Sequence, residues 1–232
     1  MSLRYRRVVL KLSGELLAGP GGPLDQGGLR FCSQEIRTAR GAGAEIAVVI
    51  GGGNIARGSA LSHLPATAGH AIGMLGTVMN GIALREALGE QGIRCVVMSA
   101  LPLPGLAEAV DPWRARASLE RDEVVVFAAG TGNPFVTTDT AAVIRALAVG
   151  ADAVLKGSKV DGIYEADPAK NPGARLIPRL THRDYLVRGL QVMDGASVAI
   201  AGEHGLPIVV FAAAQEGALL AALGGEAGSL IA

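Results

Sequence analysis

The sequence predicts an α/β protein with one large, mainly parallel sheet and helices on both of its faces. Three observations carry this reading. Short β-branched runs alternate with longer stretches of helical period, the pattern of parallel strands joined by crossover helices. Most strand candidates are continuous apolar runs, as strands covered on both faces must be. Half of the residues are hydrophobic but only 3% are aromatic, so the interior is built from Ala, Val, Leu and Ile, which suit helix-on-sheet packing.

In order along the chain, RVVLKL predicts a first strand over 7–12 and a helix follows over 26–40. EIAVVI predicts a second strand over 45–50, then a long helix over 74–90, a strand over 94–99 and a helix over 113–120. DEVVVFA forms a strand at 122–128, followed by a helix at 139–149 and a strand at 152–156. Helices over 182–188 and 195–203, a strand over 207–211 and a helix over 215–223 complete the series. The Gly- and Pro-rich stretches 19–28 and 101–105, with 161–178, are expected to be irregular. No repeat, linker or charge block divides the chain, so a single domain over 1–232 is expected. A chain of this size buries roughly 70% of its unfolded surface without needing disulfides.

Composition excludes several classes. With 21 basic and 21 acidic residues, the formal charge is zero and lacks the basic face that nucleic-acid binding needs. Cys32 and Cys95 read as reduced thiols, which points to the cytoplasm. The apolar segment after MSLRYRR is broken by Lys11, so no secretory leader is expected, and no apolar run reaches the ~18 residues of a membrane span. His63 and His70 lie seven apart with no Cys nearby, so no protein-held metal is expected.

Four segments are suited to holding anions. Lys11, Ser13 and Gly14 end the first strand, at the sheet edge where open α/β folds bind ligands; the plain alternative is a strand-end turn. Gly51, Gly52 and Gly53 follow the second strand with Arg57 just beyond, an amide nest with a cation to clamp the same anion. Gly51 to Ala56 also fits GxGxxA, but the first acidic residue after Glu45 is Glu86, so the dinucleotide fingerprint fails on context; no Walker P-loop exists either. GTGNPFVTTD, from Gly130 to Asp139, offers amides, Thr137 and Thr138 as phosphate donors, with Asp139 either capping a helix or standing near the reacting groups. Finally, 152–172 delivers Lys156 and Lys159 into a polar stretch with Ser158, Asp161, Tyr164 and Asp167, suited to a purine and its ribose or to a solvated hairpin. Of the 21 basic residues only four are Lys, at 11, 156, 159 and 170, and all lie in the first and last of these segments. Lysine's compact, mobile charge suits a migrating phosphoryl group.

Together, KLSGE, GGGN-x-x-RG, GMLGTVMNG, GTGNPFVTTD, KGSKVDGIY and ADPAKNP resemble the blocks of the bacterial uridylate kinases of the amino acid kinase superfamily, over nearly the whole chain. The resemblance implies a three-layer αβα sandwich, phosphoryl transfer from MgATP to UMP, and a homohexamer activated by GTP and inhibited by UTP. It implies an acceptor half over roughly 1–150 and an ATP half over roughly 151–232. By motif, Lys11, Leu12, Ser13, Gly14, Gly53, Arg57, Ser158, Tyr164 and Asp167 would bind ATP, with Mg²⁺ carried on its phosphates. Gly52 and the run Thr131, Gly132, Asn133, Pro134, Phe135, Val136, Thr137 and Thr138 would bind UMP. Lys11, Arg57, Asp139 and Asp194 would serve the reaction centre. One position departs from the family: His70 stands where an aspartate for the acceptor ribose is usual. The competing functions are a sister kinase with another small acceptor and a non-enzymatic relative that binds nucleotides or oxyanions.

Overall fold

The computed structural model describes residues 3–56, 61, 63–166, 168–171 and 173–232. Among these, six long strands form the centre of a nine-stranded sheet: β1 (Arg7–Leu12), β2 (Glu45–Ile50), β3 (Cys95–Ser99), β5 (Val124–Ala128), β6 (Ala153–Ser158) and β10 (Ile208–Ala212). Three short strands extend it, β4 (Glu108–Ala109), β9 (Arg179–Leu180) and β11 (Ser229–Ile231), giving the order β4-β3-β5-β2-β1-β6-β10-β11-β9. All pairings are parallel except β10 with β11. The strands β2 to β5 all fall on one side of β1, with β5 returning between β2 and β3, and β6 begins the other side, so the topological switch lies between β1 and β6.

Side chains alternate across each strand and divide the interior into two cores. Val8, Leu10, Leu12, Ile46, Val48 and Ile50 face one layer, formed by α1 (Gln26–Gly41), α2 (Ala66–Glu90) and α7 (Ala218–Gly224). Val9, Ala47, Val49, Val125 and Phe127 face the other, formed by α3 (Pro112–Glu120), α4 (Thr138–Val149), α5 (His182–Val187) and α6 (Gly195–Glu203). The αβα sandwich is therefore present, with both sheet faces covered. Side-chain caps set most helix starts: Asp25, Asp111, Thr137, Thr181 and Asp194 each accept backbone N–H bonds from the first turn that follows. No helix among the described residues is long and apolar enough to cross a membrane.

Most boundaries shift by one or two residues and the short strands β4, β9 and β11 are not among those expected from the sequence, but the larger departures are at α2, α7 and the 161–178 segment. α2 starts at Ala66, not at 74, although its first turns carry Thr67, Gly69 and Gly73, poor helix formers; of these, Gly73 lies with its carbonyl against Gly52 in the turn after β2. α7 starts at Ala218 because Gly217 is left-handed (φ 76°). The segment 161–178 is not wholly irregular: β7 (Ile163–Tyr164) and β8 (Leu176–Ile177) pair as a separate antiparallel hairpin. Strands of two or three residues carry no readable period.

The two ends of the sheet differ in character. At the end where β1 and β2 begin, Arg7 donates to Glu45 (2.6 Å), Glu120 (3.3 Å) and the Val149 carbonyl (2.9 Å), while the amides of Arg6 and Arg7 donate to Asp152. At the opposite end glycines replace side chains. A Cβ on Gly14 would lie 2.4 Å from the Gly51 carbonyl oxygen, and one on Gly52 would lie 2.4 Å from the Gly73 carbonyl oxygen. The turns after β1 and β2 thus press on each other and on the backbone of α2. Gly52→Ala is expected to destabilise the protein by about 1–3 kcal/mol through overpacking. Gly89→Ala, in an unobstructed part of α2, should stabilise it by about 0.5–1 kcal/mol; urea denaturation of both variants checks the contrast.

Candidate active site

Lys11 and Lys156 are register partners on β1 and β6, at the switch point, and both point into the layer that contains α4. The first turn of α4 delivers Asp139 to them. Each lysine Nζ lies 2.6 Å from the same oxygen, Asp139 Oδ1, and all three side chains are nearly buried. Two ammonium groups against one carboxylate leave an uncompensated positive charge away from water. Burial and the nearby Lys11 charge push Lys156 down to about 8, against the pull of Asp139. An anion placed here would relieve that stress.

Asp139 does not cap α4; Thr137 does, accepting from the amides of Asp139 (3.1 Å) and Thr140 (3.3 Å). Asp139 is thereby left free for the lysines. The Thr137 hydroxyl donates to Asp194, which also accepts from Thr140 Oγ1 (2.9 Å) and the Ser197 amide (2.9 Å). Burial alone would raise the Asp194 carboxyl; the donors, Thr137 first, more than offset it and hold it below the usual carboxylate range. Tyr185, fully buried, fixes the segment before Asp194 by donating to the Met193 carbonyl (2.9 Å) and accepting from its amide (2.6 Å).

The glycine turn is fastened by an asparagine pair. Asn80 of α2, fully buried, donates to the Gly51 carbonyl (2.6 Å) and to Asn54 Oδ1 (2.8 Å); Asn54 donates back to Asn80 and to the Pro23 carbonyl (2.7 Å). Beside this turn opens a cavity of about 600 Å³, walled by Gly52, Gly53, Gly69, Gly73, Met74, Thr77, Gly130, Thr131, Asn133, Val136 and Thr138, with His70 among them. His70 meets Phe135 edge to face, centroids 4.7 Å apart, and Phe135 is exposed with a left-handed backbone (φ 66°). A second recess of about 200 Å³ lies between the ends of β1, β6 and β10, lined by Ser13, Glu15, Leu16, Gly157, Ser158, Lys159, Ala213 and Ala214. Lys159 reaches Glu15 beside it at 2.6 Å.

Residues 6–212 match the model of the Amino acid kinase family. The uridylate kinase of Brucella suis is 47% identical over 225 residues, covering 96% of this chain and 94% of its own length. That of Alcanivorax borkumensis is 47% identical over 234 residues, covering 99% and 93%. The chain belongs to the uridylate kinases of the amino acid kinase family. The crystal structure of the UMP kinase from Bacillus anthracis superposes with a TM-score of 0.94 at 35% identity, over 98% of this chain and 96% of that one. The UMP kinase from Ureaplasma parvum gives 0.91 at 29%, over 99% and 100%.

Against this family frame, the residues expected from sequence fall into groups. Of the UMP set, Gly52, Thr131, Asn133, Val136 and Thr138 line the large cavity; Gly132, Pro134, Phe135 and Thr137 adjoin it in the same loop. Gly53, assigned by motif to ATP, also lines that cavity. Ser13 and Ser158 line the smaller recess; the Leu12 side chain is in the core, leaving only its backbone, and Gly14 serves close packing. Tyr164 lies in the β7–β8 hairpin, its hydroxyl donating to Asp161 (2.6 Å), apart from the recess. Arg57 and Asp167 lie outside the described residues. Sequence reasoning placed Lys156 in a cationic segment but did not pair it with Asp139, and it assigned nothing to Thr77 or Asn80. The only signal for them was GMLGTVMN, in which a Thr and an Asn interrupt an apolar helix.

Lys11→Ala is expected to reduce turnover by roughly two or more orders of magnitude in folded protein, read by steady-state assay. Because its folded pKa lies below the unfolded ~10.5, Lys156 weakens the fold as pH falls from the unfolded value through about 8, and the penalty stays constant below that. Lys156→Met should therefore be inactive yet about 1–3 kcal/mol more stable at pH 7, a gap that narrows toward pH 10. Denaturant unfolding across pH measures it.

Proposed function

We propose that this chain transfers the γ-phosphoryl group of MgATP to UMP, giving MgADP and UDP, in pyrimidine nucleotide biosynthesis in the cytoplasm. The observation that carries the reading is the Lys11–Asp139–Lys156 cluster, whose excess positive charge sits at the switch point. Its members adjoin both pockets along the chain: Asp139 follows Thr138 of the large cavity, and Lys156 precedes Gly157 of the smaller recess. The acceptor occupies the large cavity, within 1–150; the smaller recess, including 151–232, receives ATP.

A UMP phosphate oxygen attacks the γ-phosphorus in line while the bond to the β,γ-bridging oxygen breaks and ADP leaves. The attacking phosphate is already largely ionised at neutral pH, so no general base is needed. The work is positioning and charge neutralisation: Lys11 and Lys156 stabilise the oxygens between the two nucleotides, and Asp139 keeps both ammonium groups aimed there. By motif, Arg57 would add a further positive charge. Asp194 holds Thr137 and Thr140 and so sets the start of α4. Among the described residues no group of three or more His, Cys, Asp or Glu is placed to hold a metal, and the Asp139 oxygen nearest the centre already serves two lysines. This donor set fits Mg²⁺ carried by the ATP phosphates, where it would neutralise charge on the transferring group.

Family resemblance supports a homohexamer with GTP as activator and UTP as inhibitor. The outer face of α2, where Leu75 and Met79 are half exposed one turn apart, supplies apolar surface for such an assembly. The deciding experiment is ADP release across UMP, CMP, dUMP and GMP, with and without GTP and UTP. UMP should be preferred, and ADP release without an acceptor should be negligible; equal turnover of all four, or none with UMP, overturns the reading. With His70 in the wall as a ribose contact, UMP should exceed dUMP by about tenfold or more in kcat/KM, and equal use of the two removes that role.

A further inference from the structure

We propose that Arg145 is a positioning residue for the acceptor, holding from behind the backbone turn that forms one wall of the large cavity. The proposal rests on reading that cavity as the acceptor site. Directly after β5 the chain passes through two successive left-handed residues, Ala129 (φ 59°) and Gly130 (φ 58°). A residue with a Cβ adopts this conformation only at a cost, so the turn must be held by its surroundings. Two side chains do so, one from each helical layer. On α2, Thr77 Oγ1 accepts the Ala129 N–H at 2.6 Å and donates to the Met74 carbonyl at 2.7 Å. On α4, Arg145 Nη2 donates to the Gly130 carbonyl at 3.1 Å.

The charge of Arg145 is only partly compensated. Its guanidinium lies over the buried Phe127 ring, 5.6 Å from the centroid, a favourable cation–π contact, but its Nε is buried without a hydrogen-bond partner and no carboxylate pairs with it among the described residues. An apolar side chain there would spare that desolvation. What the arginine provides is its grip on Gly130, whose neighbours Thr131 and Asn133 supply polar groups to the cavity wall. Arg145 does not line the cavity, so it acts through the loop.

The test compares Arg145→Met and Arg145→Lys with the parent, varying UMP and ATP separately and following hydrogen exchange over 127–133. R145M should raise the KM for UMP about tenfold while the KM for ATP stays within about twofold, and R145K should recover part of the loss. Exchange should quicken over 127–133 alone. An unchanged UMP KM, or equal changes for both substrates, overturns the proposal. Where R145M yields no folded protein, Arg145→Gln is judged by the same split. A parent inactive on UMP would instead defeat the functional reading; the exchange measurement needs no turnover, and unchanged exchange over 127–133 would still overturn the role of Arg145.

Discussion

A single carboxylate oxygen shared by two buried ammonium groups is the constraint on which the architecture turns. Asp139 is the carboxylate that both lysines face, and it is free to reach them because Thr137 takes over the capping of α4. The parallel pairing of β1 with β6 then places Lys11 and Lys156 side by side, which no local sequence segment could do. The centre therefore depends on the long-range order of the sheet, and the sheet in turn carries a destabilising charge at its most useful point.

The supports around this centre fall into two systems. On one side of the sheet, α4 and α6 are tied through Thr137, Thr140 and Asp194, with Tyr185 fixing the approach to Asp194. On the other, α2 grips the glycine turn through Asn80 and the turn after β5 through Thr77. Both systems act at the ends of parallel strands, while the ion pairs around Arg7 hold the opposite edge. This end of the sheet is thus braced by hydrogen bonds from the layers above and below.

Much of this was legible in the sequence. The first two strands and α6 fall on their expected residues, since RVVLKL and EIAVVI are unambiguous buried runs. The placing of the segments suited to anions was also legible: Lys11, the Gly51–Gly53 turn and Gly130 all fall at the carboxyl ends of β1, β2 and β5. Illegible were contacts whose partners lie far apart in the chain: Lys156 with Asp139, Asn80 with Gly51, Thr77 with Ala129. The early turns of α2 were missed for a related reason, since Gly69 and Gly73 lower helix propensity and tertiary packing overrides it. Strands as short as β4, β8 and β9 exist only through their neighbours.

Much of the large cavity's wall is main chain, contributed by Gly52, Gly53, Gly69, Gly73 and Gly130. Such a surface offers mutation little to trim or lengthen, and at Gly52 even a methyl group collides with the neighbouring helix. On the proposed assignment of this cavity to the acceptor, substitutions that alter acceptor preference fall on the few wall positions that carry side chains, His70, Met74, Asn133 and Val136 foremost.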